Sequence, residues 1–294
     1  MDECSKCKET QAREEDGICP FFEDNDGLSL RCMGFWAEEK LTVLYKYIAM
    51  FTSSMHDKWP NMAFIDMFSG PGRGIVQEAK IVIDGSPIRA FQQKYPFTHY
   101  VFVDINLDNI TILESRIRQV SGKTSNIKYI PADCNMVVKQ IEEYIPSSSL
   151  VLAFVDPTSM QINFSTIDDL SNCFEHIDMI INFPRQAIVR QYRHALNNMG
   201  NQDTFDKYFG TTEWRKHLQE QRSLTPGGIL LNLYKDQLKA LRFSDVNYTR
   251  DSILVRGPKN VPLYELVFAS RHPLAYKLFN ESVSVKHSGQ RRLL

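Results

Sequence analysis

The chain has 294 residues, 43% of them hydrophobic, which suits one large α/β domain with additions better than several small domains. Its formal net charge is −1, so only local basic patches could indicate a nucleic-acid partner. No apolar run approaches the roughly 18 residues that span a bilayer, and the opening residues MDECSKCKET lack the apolar core of a signal peptide. We therefore expect a soluble, cytoplasmic protein.

Residues 1–33 are rich in charge and cysteine and poor in aliphatic side chains, and we expect them to form a small appendage to a main domain at 34–294. Four of the six cysteines lie here, with the spacing C-x2-C-x11-C-x12-C: Cys4, Cys7, Cys19 and Cys32. Four thiolates can close a tetrahedral structural zinc site, which is the metal we predict. An iron–sulfur cluster and unliganded thiols are the alternatives.

The main domain alternates predicted helices and strands. The helical spacing of Trp36, Leu41 and Leu44 predicts a first helix at about 36–53. Near-continuous apolar strands follow at 62–68, 98–104, 126–133, 149–157 and 177–184. Between them we predict helices that begin at an N-cap Ser86, at Leu107, at Asn135 and after an N-cap Ser165. This alternation is typical of a parallel sheet covered on both faces.

The rhythm changes after the fifth strand. Residues 185–224 carry helical patterns and many polar groups, which predicts a helical insertion. A helix at about 225–243, strands at about 246–255 and 262–270 flanking RGPKN, and a last helix at about 273–281 follow. Five parallel strands, a helix and a terminal antiparallel hairpin are the ground plan of class I methyltransferases. We therefore predict that Rossmann-like fold class, although a fold does not fix a function.

The stretch FIDMFSGPGRG at 64–74 follows the first main strand. It lacks the Lys-Ser or Lys-Thr of a phosphate-binding P-loop, and its glycines space as G-x-G-x-G instead of G-x-G-x-x-G. An acid before such glycines resembles an adenosylmethionine site, where the backbone approaches the ligand and the acid pairs with its ammonium. We predict that Asp66, Phe68, Gly70 and Gly72 bind this cofactor. An unliganded tight turn is the alternative.

Three more acids follow the next three strands, where ligands bind in open α/β sheets. Asp104 is placed to meet ribose hydroxyls, and Asp133 to contact adenine or to cap the next helix. Asp156 and Pro157, in FVDPT, stand where amino-methyltransferases keep an acid-proline motif that accepts a substrate N–H. That motif has two prolines and an aromatic, whereas this chain has DPTS, and Asn182 in NFP is a partial echo of it. We predict Asp156 and Pro157 as catalytic residues.

A basic cluster opens the insertion beside the predicted site. Arg185, Arg190 and Arg193, with Asn182, are candidate substrate residues because arginines can hold phosphates. Four aromatic side chains of the insertion could stack bases: Phe205, Tyr208, Phe209 and Trp214. An ordinary amphipathic insertion is an equal alternative. We expect Cys134, a lone thiol near a helix start, to be structural.

Several separated motifs, in order, are similar to one family. FWAEEKLTVLYKYI, FIDMFSGPGRG, DGSPIRA, LAFVDPT, IDMIINFP and YELVFASRHPLAYKL together resemble the three-Cys-motif partner (TcmP) proteins, from about Trp36 to the C-terminus. The resemblance implies a methyltransferase-like protein with a three-cysteine partner similar to radical adenosylmethionine enzymes, in a mobile-element or defence context. It also maps Asp66, Gly70, Gly72, Asp104, Asp133 and Asp156 onto the cofactor pocket. It does not account for the cysteine cluster.

The sequence thus predicts an adenosylmethionine-dependent methyltransferase that acts on a nucleic acid or nucleotide. One alternative is a non-catalytic scaffold subunit of the three-cysteine enzyme. Another is a zinc-containing nucleic-acid-binding module. The methyl acceptor and the oligomeric state are not readable from the sequence.

Overall fold

The computed structural model describes residues 18–121, 126–197, 200–220, 224–243, 252–257 and 260–284. The predictions for Cys4, Cys7 and residues 246–251 lie outside these residues. Within this part of the chain, no helix is both long enough and apolar enough to cross a membrane.

Strands and helices follow the predicted alternation. The strands are β1 Ile18–Glu23, β2 Ser29–Met33, β3 Met62–Asp66, β4 Arg73–Val76, β5 Ile81–Asp84, β6 His99–Asp104, β7 Ile127–Pro131, β8 Leu150–Val155, β9 Ile177–Phe183, β10 Ser252–Arg256 and β11 Pro262–Ala269. The helices are α1 Trp36–Met55, α2 Ser86–Phe91, α3 Leu107–Ser121, α4 Val138–Tyr144, α5 Phe164–Cys173, α6 Arg185–Leu196, α7 Gln202–Phe209, α8 Trp214–Glu220, α9 Pro226–Ala240 and α10 Pro273–Ser284.

Seven strands form the central sheet in the order β10-β11-β9-β8-β3-β6-β7. The five strands β3, β6, β7, β8 and β9 pair in parallel, and β11 runs antiparallel to both β9 and β10. The five predicted parallel strands and the terminal hairpin are therefore confirmed. β3 lies inside the sheet, between β8 and β6, and every one of its side chains is buried, which explains why its sequence reads as a continuous apolar run.

Each face of the sheet has its own hydrophobic core. Met62 and Phe64 of β3 pack into one cluster, with α1, α2, α3 and α10. Ala63 and Ile65 pack into the other, with α4, α5, α6, α7 and α9. Successive side chains of a strand point to opposite faces, so one buried strand serves both layers.

Two predicted helix caps were wrong. Ser86 is the first residue of α2, and Gly85 holds the cap position. The cap position of α5 is Asn163, two residues before the predicted Ser165, because Phe164 already belongs to the helix and is buried against the core.

The helical insertion at 185–224 contains α6, α7 and α8, but the four aromatic residues predicted to stack bases do not face solvent. Phe205, Phe209 and Trp214 are 0% exposed and Tyr208 is 1% exposed. Their rings pack on one another and on Phe183 and Tyr234 in the main core. The expectation that these side chains stack bases is therefore wrong, because the apolar face of the insertion packs against the core of the main domain.

A second sheet joins the N-terminal segment to the main domain. Its order is β1-β2-β4-β5, and β2 pairs in parallel with β4, with Arg31 opposite Gly74. β4 and β5, between the glycine stretch and α2, form an antiparallel hairpin. Residues 18–33, the described part of the predicted appendage, are therefore hydrogen-bonded to the segment that follows the glycine stretch.

A buried arginine holds the turn between β1 and β2 on the domain. The Arg116 side chain, 1% exposed, donates from Nε to Asp26 Oδ2 at 2.9 Å and from NH1 to the Pro71 carbonyl at 2.7 Å. Its NH2 also donates to the Leu28 carbonyl at 3.1 Å. Burial alone would raise the pKa of Asp26, but the hydrogen bond and charge of Arg116, with the charge of Arg73, hold it below its usual range.

We expect Arg116→Met to destabilise the fold by about 3 kcal/mol, because it removes the cation that donates to the buried Asp26 carboxylate and leaves only Arg73, 3.8 Å away, beside it. Urea unfolding followed by circular dichroism measures the loss. Arg118→Met on the same helix is the matched control: its exposed pair with Glu114 is expected to contribute less than about 0.5 kcal/mol. Equal effects of the two substitutions would contradict this account of the turn.

Candidate active site

The glycine stretch forms a tight loop at the carboxyl end of β3. Gly70 and Gly72 both have left-handed backbone conformations, with φ of 59° and 85°. A Cβ atom at position 72 would lie 2.8 Å from Leu113 Cδ1 and 3.3 Å from Ile88 Cγ1. These two positions therefore need glycine for conformation, and position 72 needs it for space as well.

The third glycine has a different reason. Gly74 lies in β4, and a Cβ atom there would lie 2.7 Å from the Arg31 carbonyl oxygen and 2.6 Å from Met33 Cε. Because position 74 has no Cβ atom, the backbone of β2 can approach β4 and pair with it. The G-x-G-x-G pattern thus combines two loop glycines with one strand glycine that admits the N-terminal segment.

Two buried polar atoms beside this loop have no hydrogen-bond partner: Asp66 Oδ2 and Ser69 Oγ. Asp66 is fully buried, and its other oxygen accepts from the Phe68 N–H at 3.1 Å. Burial raises the pKa of Asp66 to about 7, although the nearby Ser86 hydroxyl and the Phe68 N–H oppose the shift. Unpartnered buried polar groups are uncommon, so these two atoms are candidates for contact with a polar ligand.

The acids after β6 and β7 make local hydrogen bonds. Asp104 accepts from the N–H groups of Gly70 and Asn106, both at 2.9 Å, so it fixes the glycine loop. Asp133 accepts from the N–H of Asn135 at 2.9 Å and caps the short 3₁₀ turn Cys134–Met136, whereas α4 begins at Val138 with Val137 at its cap position, so Asp133 caps the turn and not the helix. The ribose contact of Asp104 and the adenine contact of Asp133 stay predictions.

A cavity of about 360 Å³ opens between the glycine loop, α1, β2 and the start of α6. Phe68, Ser69, Gly72, Asp156 and Asn182 all line it. Four cationic side chains also reach its lining: Arg31, Lys40, Arg73 and Arg190. Among the described residues on that lining, Asp156 is the single acid. The cavity therefore carries excess positive charge, although the whole chain is close to neutral.

Asp156 is held by an ion pair that the sequence analysis missed. Lys40 Nζ lies 2.6 Å from Oδ1 and 2.5 Å from Oδ2 of Asp156. Asn182 Nδ2 donates to Asp156 Oδ1 at 2.8 Å and to the Pro157 carbonyl at 3.1 Å. Both carboxylate oxygens thus already have donors. The remaining oxygen of this group is Asn182 Oδ1, which is buried and unpartnered.

Tyr264 closes the same side of the cavity. Its ring centroid lies 5.2 Å from Lys40 Nζ, and its hydroxyl donates to the Trp36 carbonyl at 2.8 Å. Burial, and then the charge of Asp156, raise the pKa of Tyr264, so this phenol stays protonated. Lys40 lies on the same face of α1 as Trp36 and Leu44, at i, i+4 and i+8. A lysine on this inward face is the sequence feature from which a role for Lys40 in the site could have been predicted.

The three arginines of the predicted basic cluster do not lie together in the structure. Arg190 lines the cavity, but Arg185 forms an ion pair with Glu265 at 2.9 Å. Arg193 is exposed on α6, where its Nε donates to the Tyr192 hydroxyl. Arg185 and Arg193 are not on the cavity lining, so their substrate role stays a prediction.

The described cysteines show no metal site. Cys19 and Cys32 pack with Leu30 and Ile75 in a small cluster, and Gln77 Nε2 donates to Cys32 Sγ at 2.8 Å. Within the part of the chain that the structure describes, no group of three or more His, Cys, Asp or Glu could hold a metal ion. Since Cys4 and Cys7 lie outside that part, the zinc site stays a prediction. Cys134 is buried, and burial raises the pKa of its thiol to about 12, as a structural cysteine requires.

A comparison with protein-family models finds no match, and neither does a comparison with curated proteins. Solved structures do match. TYW2 from M. jannaschii in complex with AdoMet is 11% identical, with 87% of this chain and 86% of that chain covered and a TM-score of 0.43. Magnesium protoporphyrin IX methyltransferase from Synechocystis PCC 6803 with bound SAH is 10% identical, with 82% and 88% covered and a TM-score of 0.45.

Protein LPL1258 from Legionella pneumophila is also similar, at 10% identity, with 88% of this chain and 94% of that chain covered and a TM-score of 0.47. Likenesses at such identities and TM-scores carry no inference about activity. The strand order of the central sheet supports the fold class. An inference about function has to rest on the residues of the cavity.

We expect Gly72→Ala to destabilise the protein by about 2–4 kcal/mol, since it adds the left-handed strain of a non-glycine residue to a collision with Leu113 and Ile88. Gly27→Ala separates the two causes: Gly27 has a φ of 73°, but no atom lies within 4 Å of its added Cβ. That control should lose only about 1–2 kcal/mol in urea unfolding. If Gly72→Ala lost no more unfolding free energy than Gly27→Ala, the loop would have to accommodate the added Cβ atom by moving away from Leu113 and Ile88.

Proposed function

We propose that the chain is an adenosylmethionine-dependent methyltransferase. One observation carries the proposal: two buried, unpartnered polar atoms flank a left-handed glycine loop at the carboxyl edge of the sheet, beside a cavity of about 360 Å³. This edge is where open α/β sheets bind ligands. The loop has no lysine placed for a phosphate, so a ligand with an ammonium group fits it better than a nucleotide phosphate.

The residues present fit this cofactor. Asp66 Oδ2 and Ser69 Oγ would accept hydrogen bonds from the α-ammonium, and Gly70 and Gly72 would let the backbone approach the amino-acid end. Asp104 would hold this loop in place through the Gly70 N–H. When bound, the sulfonium supplies a methyl group that is already activated, so the chain's own work is mainly alignment of the acceptor.

The acceptor would bind beside Asp156 and Asn182. The ion pair with Lys40 and the two bonds from Asn182 Nδ2 fix the orientation of the Asn182 amide, so Oδ1 is left to accept from the acceptor's N–H. Asp156 and Pro157 would act by positioning this amide. The Lys40 ammonium disfavours a cationic acceptor, which supports a neutral amino group, such as that of a nucleobase.

The positive lining supports an anionic substrate, for which a nucleotide or nucleic acid is our proposal. Arg190 is exposed at the cavity mouth and has no acid partner among the described residues. Such a side chain can pair with a phosphate. The three-cysteine partner, and a scaffold role in a mobile-element or defence context, remain proposals from the family resemblance; retained cofactor affinity without methyl transfer would favour the scaffold.

We expect adenosylmethionine to bind more tightly as the pH rises from about 6 to about 7.5. Asp66, with a pKa of about 7, is protonated at the lower pH and ionised at the higher, and only the carboxylate pairs with an ammonium. Asp66→Asn should bind about 10-fold more weakly at pH 7.5 and lose this pH dependence. Calorimetric titration at several pH values measures both effects.

Asp57→Asn is the control, because Asp57 is an exposed carboxylate with a side chain 86% accessible. It should bind the cofactor like the wild type at every pH. A folded wild-type protein that shows no affinity for adenosylmethionine would overturn the proposed function.

We expect a fluorescent single-stranded oligonucleotide to bind with an affinity that falls as salt rises. Arg190→Ala should reduce the slope of log affinity against log salt by about 1, because one phosphate contact is lost. Arg118→Ala, an exposed arginine on α3 with a side chain 64% accessible, should leave the slope unchanged. Salt-independent binding, or equal slopes for the wild type and Arg190→Ala, would rule out this substrate contact.

A further inference from the structure

Arg31 reaches the glycine loop from the N-terminal strand β2. Its NH1 atom lies 3.3 Å, and its Cδ atom 3.7 Å, from the position that a Cβ atom on Gly70 would occupy. Its own backbone is fixed by the pairing of β2 with β4, where Arg31 lies opposite Gly74. The guanidinium therefore lies beside Gly70, in the loop that follows Asp66, and it lines the cavity there.

The charge of Arg31 is not neutralised within the described chain. Of the four cations on the cavity lining, Lys40 pairs with Asp156, and Arg73 pairs with Asp24 and Asp84. Arg31 is half-buried and, like the exposed Arg190, has no acid partner among the described residues. A half-buried guanidinium with free donors is suited to a planar anion that it can hold with two hydrogen bonds.

The position of this guanidinium indicates which anion it meets. In the proposed function the cofactor's α-ammonium lies at Asp66 Oδ2 and Ser69 Oγ, next to Gly70. The α-carboxylate is attached to the same carbon as that ammonium, so it must lie within a few ångströms of it. Among the described cations of the lining, Arg31 is the one without an acid partner that lies beside this loop, whereas Arg190 belongs to α6, at the side of the cavity assigned to the substrate.

We propose that Arg31 binds the α-carboxylate of adenosylmethionine and so makes the N-terminal strand pair a part of the cofactor site. This inference rests on the proposed function and adds a residue that the glycine motif does not contain. It also gives the buried Arg116 network a role in binding: Arg116 holds the turn before β2, and β2 delivers Arg31 to the loop.

Calorimetric titration with two ligands tests the proposal: adenosylmethionine, and its decarboxylated form, which lacks only the carboxylate. We expect Arg31→Met to weaken binding of adenosylmethionine by about 10- to 100-fold, as expected for lost hydrogen bonds to a charged group. The same variant should bind the decarboxylated ligand within about 2-fold of the wild type. Arg31→Lys should lie between the wild type and Arg31→Met, since a lysine keeps the charge without the planar fork.

Arg118→Met is the control, because it removes an exposed arginine that is not on the cavity lining and should leave the affinity for both ligands unchanged. An Arg31→Met variant that binds adenosylmethionine as tightly as the wild type would overturn the inference and leave the proposed function standing. Equal losses for both ligands would also overturn it, because they would mean a general distortion of the loop. A wild type that binds neither ligand would remove the proposed function and this inference together.

Discussion

The close approach of β2 to β4 is the constraint on which the cavity depends. It exists because position 74 has no side chain, and the Arg31 carbonyl lies within 2.7 Å of where one would begin. The pairing brings Arg31, Cys32 and Met33 to the cavity wall. Without it the glycine loop would open to solvent on that side, and the four-stranded sheet would lose its parallel pair.

Electrostatics distinguish two acids at this edge of the sheet. Asp66 is buried beside the glycine loop, and burial raises its pKa to about 7, so its charge responds to pH near neutrality. Asp156, by contrast, pairs with Lys40 and accepts from Asn182 Nδ2. Two acids at the ends of neighbouring strands thus have different environments, and in the proposed function they have different tasks.

The helical insertion contributes to the site by its backbone position and not by its aromatic side chains. Its buried rings dock α7 and α8 on the core around Phe183 and Tyr234. That docking supports α6, whose first turns carry Gln186 and Arg190 to the cavity. An amphipathic pattern could not distinguish these uses, because a ring that packs and a ring that stacks a base have the same sequence signal.

The sequence by itself determined the alternation of helices and strands, the parallel sheet with its terminal hairpin, and the edge at which the four acids gather. It could do so because burial on both faces leaves a continuous apolar run, and because parallel strands bring their carboxyl ends to one edge. Only the tertiary structure decided the partners of those acids. Asp104 holds Gly70, and Asp156 holds Lys40, across 34 and 116 residues of chain.

The tertiary structure also decided the roles of Gly74 and Arg31, and the burial of the insertion's aromatic rings. Each of these features depends on contacts between residues that are distant in the chain. Such contacts leave no periodic pattern in the local sequence from which they could be predicted. A sequence pattern indicates on which face of its own helix or strand a residue lies. What a side chain touches beyond that element is fixed only when the layers pack.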